Sequence, residues 1–399
     1  SLSEVAQVRL PSRWYSFQAP TSEGVQLTGA TAFHANGVTG SGVRVAVIDG
    51  GFGGTTHGDA VTQLVRGMAP SADITQLTAT TTLEVEQAIT QVRDGGYDVA
   101  VMSMGSFDGP FDGTHSTSQK VNGARTAGVF WVNAAGNHAE RHYEGDWTDS
   151  NGDRYHEWAA GDSQMGLNLT AGEFEAYLSW YQTAGTTTNH DYDLVLEDTS
   201  GTEIASSNVT QNGDDPPAER LLAYVPADGV YNLRIRAMSP VSIPLGDHFQ
   251  LFLPDVNVEG TLQVSEHSLA VPAEASGSFT VGATRGSLLT PEGLDVRPID
   301  GIEAFSSRGP TLAGLLKPDL CAPNVVTTTI ETYNPFVGTS AAAPHVAGAA
   351  ALLLGEDAAR TPATLANSLR TQAVKDMLAT DGSGNPIPDN TYGYGRLRI

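Results

Sequence analysis

Cysteine, basic residues and long apolar runs are all scarce in this chain. Cys321 is the only cysteine among 399 residues, which excludes a disulfide within the chain. Lys and Arg total 21 against 45 Asp and Glu, a formal net charge of -24, so neither nucleic acid nor a membrane is expected as a partner. No apolar run approaches the roughly 20 residues that span a bilayer. Ser1-Leu2-Ser3-Glu4 opens no signal peptide, so in an exported protein we expect these residues to be what remains after processing.

Short β-branched runs alternate with helical segments in the first third of the chain. One run covers residues 43–48 and ends at Asp49-Gly50-Gly51, and others cover residues 72–77, 98–105 and 129–137. Segments with helical character separate them. This alternation predicts an α/β fold, with a parallel sheet, right-handed crossovers and helices on both faces.

The residue pattern of the chain changes after residue 138. Helical signals become rare, turn residues become frequent, and strand-like segments occur at 174–180, 192–196, 231–235 and 249–253. This pattern predicts an antiparallel β-sandwich, jelly-roll-like, inserted into the α/β domain. The predicted organisation is an N-terminal arm (1–25), the first part of the α/β domain (26–138), the inserted β-sandwich domain (139–270) and the second part of the α/β domain (271–399).

A serine stands between small residues just ahead of a long apolar helix. Ser340 follows Gly338-Thr339, and residues 346–354 have no polar face, so the helix is predicted to be buried. At such a helix start, unpaired backbone N–H groups and the positive end of the dipole stabilise a developing oxyanion. Ser340 is therefore a candidate nucleophile, although a serine that only caps a core helix fits the same residues.

Two further polar residues follow a predicted strand. Asp49 ends the strand 43–48, at the sheet edge where α/β proteins place their sites. His57 comes eight residues later, at the start of a helix that Pro70 closes. Taken alone, Asp49 also fits a turn or cap aspartate, and His57 also fits a solvent-facing histidine.

The chain resembles the subtilisin-like serine protease family (subtilases) through motifs that occur in the family's order. The matching segments are Val45-Ala46-Val47-Ile48-Asp49, His57-Gly58, Gly67-Met68-Ala69-Pro70, Ser103-Met104-Gly105, Ala134-Ala135-Gly136-Asn137, Phe305-Ser306-Ser307-Arg308-Gly309-Pro310, Lys317-Pro318-Asp319, Ala322-Pro323, Gly338-Thr339-Ser340, Pro344-His345-Val346-Ala347-Gly348 and Gly393-Tyr394-Gly395-Arg396.

The resemblance implies a role for each matching polar residue. Ser340 would be the nucleophile, His57 its general base and later general acid, and Asp49 the carboxylate that fixes the imidazole tautomer. Asn137 would donate its amide to the oxyanion, together with the backbone N–H of Ser340. The segments implied to bind an extended peptide substrate are Ser103, Met104, Gly105, Ala135 and Gly136.

The chain also departs from the family pattern. The interval from Asp49 to His57 is far shorter than usual in the family. Either the loop is minimal, since about eight peptide units span up to ~26 Å, or the given sequence lacks residues here. Asp59 stands where the family has a small hydroxyl residue, and we expect it to raise the pKa of His57 if it points inward. The insertion displaces the floor of the substrate pocket to about residues 267–273, which predicts an apolar or permissive pocket.

One polar turn carries closely spaced oxygen donors. Asp146, Asp149, Asn151 and Asp153 lie within eight residues, and hard cations favour such oxygen sets. The turn is therefore a candidate calcium site, with a solvated acidic turn as the alternative. Subtilases often carry structural calcium, so structural Ca2+ is expected somewhere in the chain, although no cofactor is required for the chemistry. Three nearby histidines, at 138, 142 and 156, resemble a set of zinc ligands, but we expect them to be surface residues.

Two classes of function remain at this point. The first is a secreted, extracellular serine endopeptidase that hydrolyses protein or peptide substrates through an acyl-enzyme and matures with its own propeptide. The second is a subtilase-fold binding or scaffold protein with weak hydrolysis, whose inserted sandwich is the active surface. Acyl transfer to an amine instead of water is a variant of the first. The insertion itself is either a wall of the cleft or a stabilising unit.

Overall fold

The computed structural model describes residues 22–181, 190–213, 216–238, 246–286, 289–290, 293–294, 301–375 and 387–399. Its strands are β1 (Arg44–Asp49), β2 (Asp73–Thr78), β3 (Val99–Met102), β4 (Phe130–Ala134), β5 (His142–Asp146), β6 (Met165–Leu169), β7 (Gly172–Tyr181), β8 (Tyr192–Asp198), β9 (Glu203–Ser206), β10 (Ala218–Val225), β11 (Gly229–Ala237), β12 (His248–Phe252), β13 (Phe279–Arg285), β14 (Leu289–Thr290), β15 (Gly293–Leu294) and β16 (Leu320–Asn324). The α-helices are α1 (Glu23–Leu27), α2 (Ala30–Ala35), α3 (His57–Met68), α4 (Thr82–Asp94), α5 (Ser116–Thr126), α6 (Thr339–Glu356) and α7 (Pro362–Gln372).

Six strands form one parallel sheet in the order β16-β13-β4-β3-β1-β2. Alternate side chains of β1 face opposite layers, as strand geometry requires. Val45 and Val47 join a core with α3 and α6, whereas Ala46 and Ile48 join a second core with α4 and α5. The prediction of an α/β fold with helices on both faces of a parallel sheet is therefore confirmed.

Helix α6 runs through the larger of these cores. Every residue from Thr339 to Leu354 is buried, as expected for a helix that is apolar on all sides. Gly348 lets α6 approach α3, because a Cβ at this position would lie 2.3 Å from the Cβ of Met68. The close contact fixes Ser340, at the start of α6, relative to His57, at the start of α3.

The chain between β4 and β13 forms two antiparallel sheets with their own core. The strand orders are β10-β7-β12-β5 and β6-β11-β8-β9, and inward side chains of both sheets share one apolar cluster. The fold class predicted for the insertion, antiparallel and separate from the parallel sheet, is confirmed. Strands β5, β6, β9 and β10 were not predicted.

An aromatic cluster joins the inserted sheets to the α/β domain. Phe107 and Phe111, which follow β3, pack against Phe252 of β12 with ring centroids 4.9 Å apart in each pair. The backbone N–H of Phe111 donates to the Tyr181 hydroxyl at 3.1 Å. The face of the β10-β7-β12-β5 sheet that carries Phe252 is therefore turned toward the α/β domain.

The predicted N-terminal arm lies mostly outside the described residues. Its last part forms the short helix α1, in which Val25 is buried. The Glu23 carboxylate accepts hydrogen bonds from the backbone N–H and the hydroxyl of Thr327. These residues pack as part of the α/β domain, so that domain begins before residue 26. Within the described ranges, none of the helices combines the length and apolar character that crossing a bilayer requires.

Candidate active site

Asp49 and His57 meet at the carboxyl end of β1. The Asp49 side chain is almost fully buried at 3% exposure, and its Oδ2 lies 2.8 Å from Nδ1 of His57. Its Oδ1 accepts the backbone N–H of Gly50 at 2.8 Å. The short interval noted in the sequence therefore suffices to bring the two side chains into hydrogen-bond contact.

A glycine makes this approach possible. A Cβ at Gly58 would lie 2.8 Å from the Cβ of Asp49 and 2.6 Å from the carbonyl oxygen of Gly51, distances that side chains do not tolerate. The imidazole of His57 also packs against Tyr333 and Phe336. Both rings meet it edge-on, with ring centroids 5.6 and 5.4 Å from that of the imidazole. These two aromatic residues were not predicted, because they lie nearly 280 positions further along the chain in a segment with no motif.

Ser340 lies at the start of α6 and is 9% exposed. Its hydroxyl donates to the carbonyl oxygen of Ser103 at 3.1 Å, and the Ser103 hydroxyl donates back to the Ser340 carbonyl oxygen at 3.2 Å. No hydrogen bond joins Ser340 to His57 among the residues that the structure describes. Bonds of this kind often tighten only when substrate is bound.

Asn137 follows β4 and is oriented by the residue before Ser340. Its Oδ1 accepts both the backbone N–H of Thr339 at 2.9 Å and the Thr339 hydroxyl at 3.0 Å. The amide orientation is the one that satisfies these donors. Nδ2 is consequently left to donate, and it lies 3.0 Å from where a Cβ of Gly338 would be.

A pocket of about 120 Å³ opens beside Ser340. Four of the five residues expected to bind substrate line it, namely Ser103, Met104, Gly105 and Gly136. The prediction for Ala135 is wrong, because this residue is fully buried behind the wall and its N–H donates to the Val281 carbonyl oxygen at 2.9 Å.

Two residues that were not predicted to bind substrate complete the pocket. Phe107 and His138 line it together with Ala270, and the rings of Phe107 and His138 meet edge-on at 4.5 Å. Burial lowers the pKa of His138 to about 4, with a smaller contribution from the charges of Arg141 and His142. Because its Nδ1 accepts the backbone N–H of Asn137 at 3.1 Å, His138 presents a neutral ring to the pocket.

The carboxylate of Asp59 faces the loop before α3 rather than the imidazole of His57. Its Oδ2 accepts the backbone N–H groups of Gly53, Gly54 and Thr56 and the Thr56 hydroxyl. The condition stated for Asp59, that its carboxylate points inward to His57, is therefore not met. Nearby donors at the start of α3 form hydrogen bonds with the Asp59 carboxylate instead.

Replacement of Asp59 by Ala is expected to destabilise the fold at neutral pH. Burial alone would raise the pKa of the Asp59 carboxyl, but hydrogen bonds from Thr56, Gly53 and Gly54 outweigh it and lower the pKa to about 2. The stabilisation is thus present above the ordinary carboxyl pKa and is lost as the pH falls toward 2. Because the Asp59 carboxylate is partly exposed, we expect the free energy of unfolding to fall by about 1 kcal/mol.

Urea unfolding of both proteins at several pH values measures this difference. Asp59→Asn, which keeps an acceptor oxygen but not the charge, serves as the intermediate variant. A difference between wild type and Asp59→Ala that persists unchanged at the acid end would contradict the assigned role.

The four residues of the candidate calcium turn form hydrogen bonds and an ion pair with neighbouring groups of the chain. Asp146 Oδ1 pairs with Nδ1 of His248 at 2.7 Å, on the neighbouring strand. The oxygens of Asp149, Asn151 and Asp153 accept backbone N–H groups of the turn itself. No cluster of three or more His, Cys, Asp or Glu suited to a metal ion occurs within the described ranges, so structural calcium stays a prediction without a site.

The histidines near this turn are buried, contrary to expectation. His142 is fully buried, with Nδ1 2.8 Å from the Val264 carbonyl oxygen and Nε2 2.9 Å from Gln250 Oε1. His156 Nε2 lies 2.8 Å from the hydroxyl of Tyr143. Burial lowers the pKa of His156 to about 4, and both rings serve as satisfied core residues of the insertion.

A family model described as the subtilase family of peptidases matches residues 52–212 and 259–395 of this chain. The matched ranges contain His57, Asn137 and Ser340 and begin just after Asp49. Among curated proteins, the subtilisin-like protease SBT1.3 of Arabidopsis thaliana is 35% identical over 128 residues, covering 27% of this chain and 16% of that protein. The minor extracellular protease Vpr of Bacillus subtilis is 30% identical over 160 residues, covering 36% of this chain and 20% of that protein.

The aligned part therefore spans only a fifth or less of the length of these two relatives. Among solved structures, the CspB protease of Clostridium perfringens superposes with a TM-score of 0.67 at 16% identity. That match covers 94% of this chain and 97% of the other. At this identity it shows a shared fold.

Proposed function

The chain belongs to the subtilase family of serine proteases, and from that premise we propose that it is a secreted serine endopeptidase. The observation that carries the proposal is the pairing of buried Asp49 with His57 at 2.8 Å, beside α6, whose first turn contains Ser340. The name of Vpr describes that relative as extracellular, which supports secretion here. Protein or peptide substrates follow from the family.

The reaction would begin with attack of Ser340 Oγ on the substrate carbonyl carbon. For this step the hydroxyl turns away from the Ser103 carbonyl oxygen and gives its proton to Nε2 of His57, because an unaided serine is a weak nucleophile. Asp49 keeps the proton of His57 on Nδ1 and stabilises the imidazolium that forms.

Negative charge develops on the carbonyl oxygen as the tetrahedral intermediate forms. In this proposal the backbone N–H of Ser340 and Nδ2 of Asn137 donate to this oxygen, and the N-terminus of α6 adds its positive field. Collapse of the intermediate breaks the peptide bond, and the leaving amine takes the proton from His57. The acyl group then remains on Ser340 Oγ until water attacks it with the same general base, which releases the acid and restores the hydroxyl.

The pocket beside Ser340 predicts which residue precedes the scissile bond. Its lining carries no charged group, since His138 is neutral, and a charged side chain buried there would lack a partner. We expect uncharged side chains of small to medium size to be preferred over charged ones by at least about tenfold.

A peptide library that varies this one position tests the expectation, with products read by mass spectrometry. Phe107→Ala, which enlarges the pocket, is expected to shift the preference toward larger uncharged residues. A wild-type preference for Lys, Arg, Asp or Glu at this position would contradict the assignment of the pocket. The absence of cleavage by folded protein would favour a binding or scaffold role.

A further inference from the structure

A larger cleft continues from the pocket beside Ser340 and reaches the inserted domain. Its volume is about 670 Å³, and it shares Met104, Gly105 and Phe107 with that pocket. Its opposite wall consists of side chains from the insertion, namely Glu175, Tyr177 and Arg220. A peptide that lies along residues 103–105 therefore passes in front of the inserted sheet.

The wall is a regular feature of that sheet. Strands β7 and β10 are antiparallel neighbours in which Tyr177 lies directly opposite Arg220. Side chains alternate along a strand, so Glu175 and Tyr177 share the outer face while Phe174 and Ala176 point into the core of the insertion. Tyr177 also contacts Phe107, with ring centroids 5.6 Å apart, which ties the wall to the residue that lines both cavities.

The polar groups of the wall are joined to one another. Glu175 Oε1 pairs with Arg220 Nη2 at 2.7 Å, and the Tyr177 hydroxyl donates to Glu175 Oε2 at 2.7 Å. The hydrogen bond from Tyr177, and to a smaller extent that from Arg220, lowers the pKa of the Glu175 carboxyl. Its carboxylate is therefore charged at neutral pH. The guanidinium of Arg220 lies 5.5 Å from the centre of the Tyr177 ring, and its side chain is 54% exposed.

The charge of the wall is negative on balance. Asp108 also lines the cleft, so two carboxylates face one guanidinium. The formal net charge of the whole chain, -24, acts in the same direction on a substrate entering the cleft. Glu175 and the Tyr177 ring already contact the exposed guanidinium of Arg220, so a cation of the peptide would compete with Arg220 for them.

We propose that the inserted sheet is part of the substrate-binding surface, and that Asp108, Glu175 and Tyr177 bind a Lys or Arg side chain of the peptide at a position away from the scissile bond. The inference rests on the proposed protease function and adds a second determinant of specificity. The insertion would then select substrates rather than only stabilise the fold.

A positional peptide library tests the proposal, with the residue before the scissile bond fixed as uncharged and all other positions varied. We expect the wild-type protein to favour Lys and Arg at one such position. Glu175→Gln is expected to reduce that preference about two- to fivefold, the size of a partly exposed ion pair, and Arg220→Ala to increase it by a similar factor.

Glu173→Gln is the matched control. It makes the same change on the same face of β7, but Glu173 is exposed and does not line the cleft, so the profile should not change. Each protein is also labelled at Ser340 with a fluorophosphonate, which reports an intact active site independently of specificity.

Opposite shifts for Glu175→Gln and Arg220→Ala, with no shift for Glu173→Gln, would support the proposal. Full labelling with profiles that are flat, favour Asp or Glu, or are unchanged by both variants would overturn it and leave the protease function standing. Absence of labelling in folded wild-type protein would overturn the protease function and this inference with it.

Discussion

Replacement of Asp49 by Asn is expected to lower kcat by about four orders of magnitude, the loss known for the same change in a chymotrypsin-type protease. The 2.8 Å contact between Asp49 Oδ2 and His57 Nδ1 fixes the proton on Nδ1, so that Nε2 can accept the proton of Ser340. An Asn at this position offers an N–H toward Nδ1, which favours the wrong tautomer. The imidazolium also loses its buried counter-charge.

Steady-state kinetics on an uncharged peptide substrate measures the loss, which should appear in kcat far more than in KM. Asp59→Asn is the control, because it removes a carboxylate two residues from His57 that does not contact the imidazole. We expect that variant to keep kcat within a small factor of wild type. Equal losses in the two variants would show that general electrostatics rather than the Asp49–His57 contact supports the reaction.

Replacement of Asn137 by Ala is expected to lower kcat with little change in KM, because the lost donor acts on charge that exists only in the transition state. For subtilisin, a member of the same family, the corresponding loss is about 10²–10³, and a loss of the same size is expected here. The structural basis here is Oδ1 of Asn137, held by two donors of Thr339, which leaves Nδ2 to donate to the oxyanion.

Thr339→Val provides a graded comparison. It removes the hydroxyl bond to Asn137 Oδ1 and keeps the backbone N–H bond, so the amide remains oriented but less firmly. It also removes the hydroxyl acceptor of the Gly136 backbone N–H. A loss in kcat smaller than that of Asn137→Ala is expected, with KM nearly constant. A Thr339→Val loss as large as that of Asn137→Ala, or a change confined to KM, would contradict the assigned orientation of the amide.

The α/β fold was predictable because its signals are local. The run at residues 45–48 is apolar on both faces of β1, and the segment at residues 346–354 is apolar on all sides of α6. These patterns specify a buried parallel strand and a buried helix without reference to the rest of the chain. The order of the motifs then placed Asp49, His57, Asn137 and Ser340 on the expected elements.

Strands of the insertion were harder to predict because exposed and buried positions are not distinguished by polarity there. In β10 the outward positions include Leu222 and Tyr224, both exposed, so the apolar and polar residues do not alternate. In β5, Glu144 and Asp146 give the segment a turn-like composition. Only pairing with β7 and β12 makes these segments strands.

The remaining wall residues of the pocket and the contacts of the acidic turn could not be predicted, for a related reason. Phe107 and His138 line the pocket because the insertion packs Phe252 against Phe107, a contact between distant segments. Asp149 resembles a calcium ligand by spacing, but nearby backbone N–H groups satisfy it. Residue type and spacing indicate which groups are available, whereas tertiary contacts decide what each group faces.

The most direct test of the central claim is covalent labelling of Ser340 by a fluorophosphonate, read as the intact mass of the protein. The proposed function predicts a single adduct on the wild-type chain, no adduct on Ser340→Ala, and slow labelling of Asp49→Asn. A folded wild-type protein that takes up no label, or a Ser340→Ala variant that is labelled as readily as wild type, would contradict the assignment of Ser340 as the activated nucleophile.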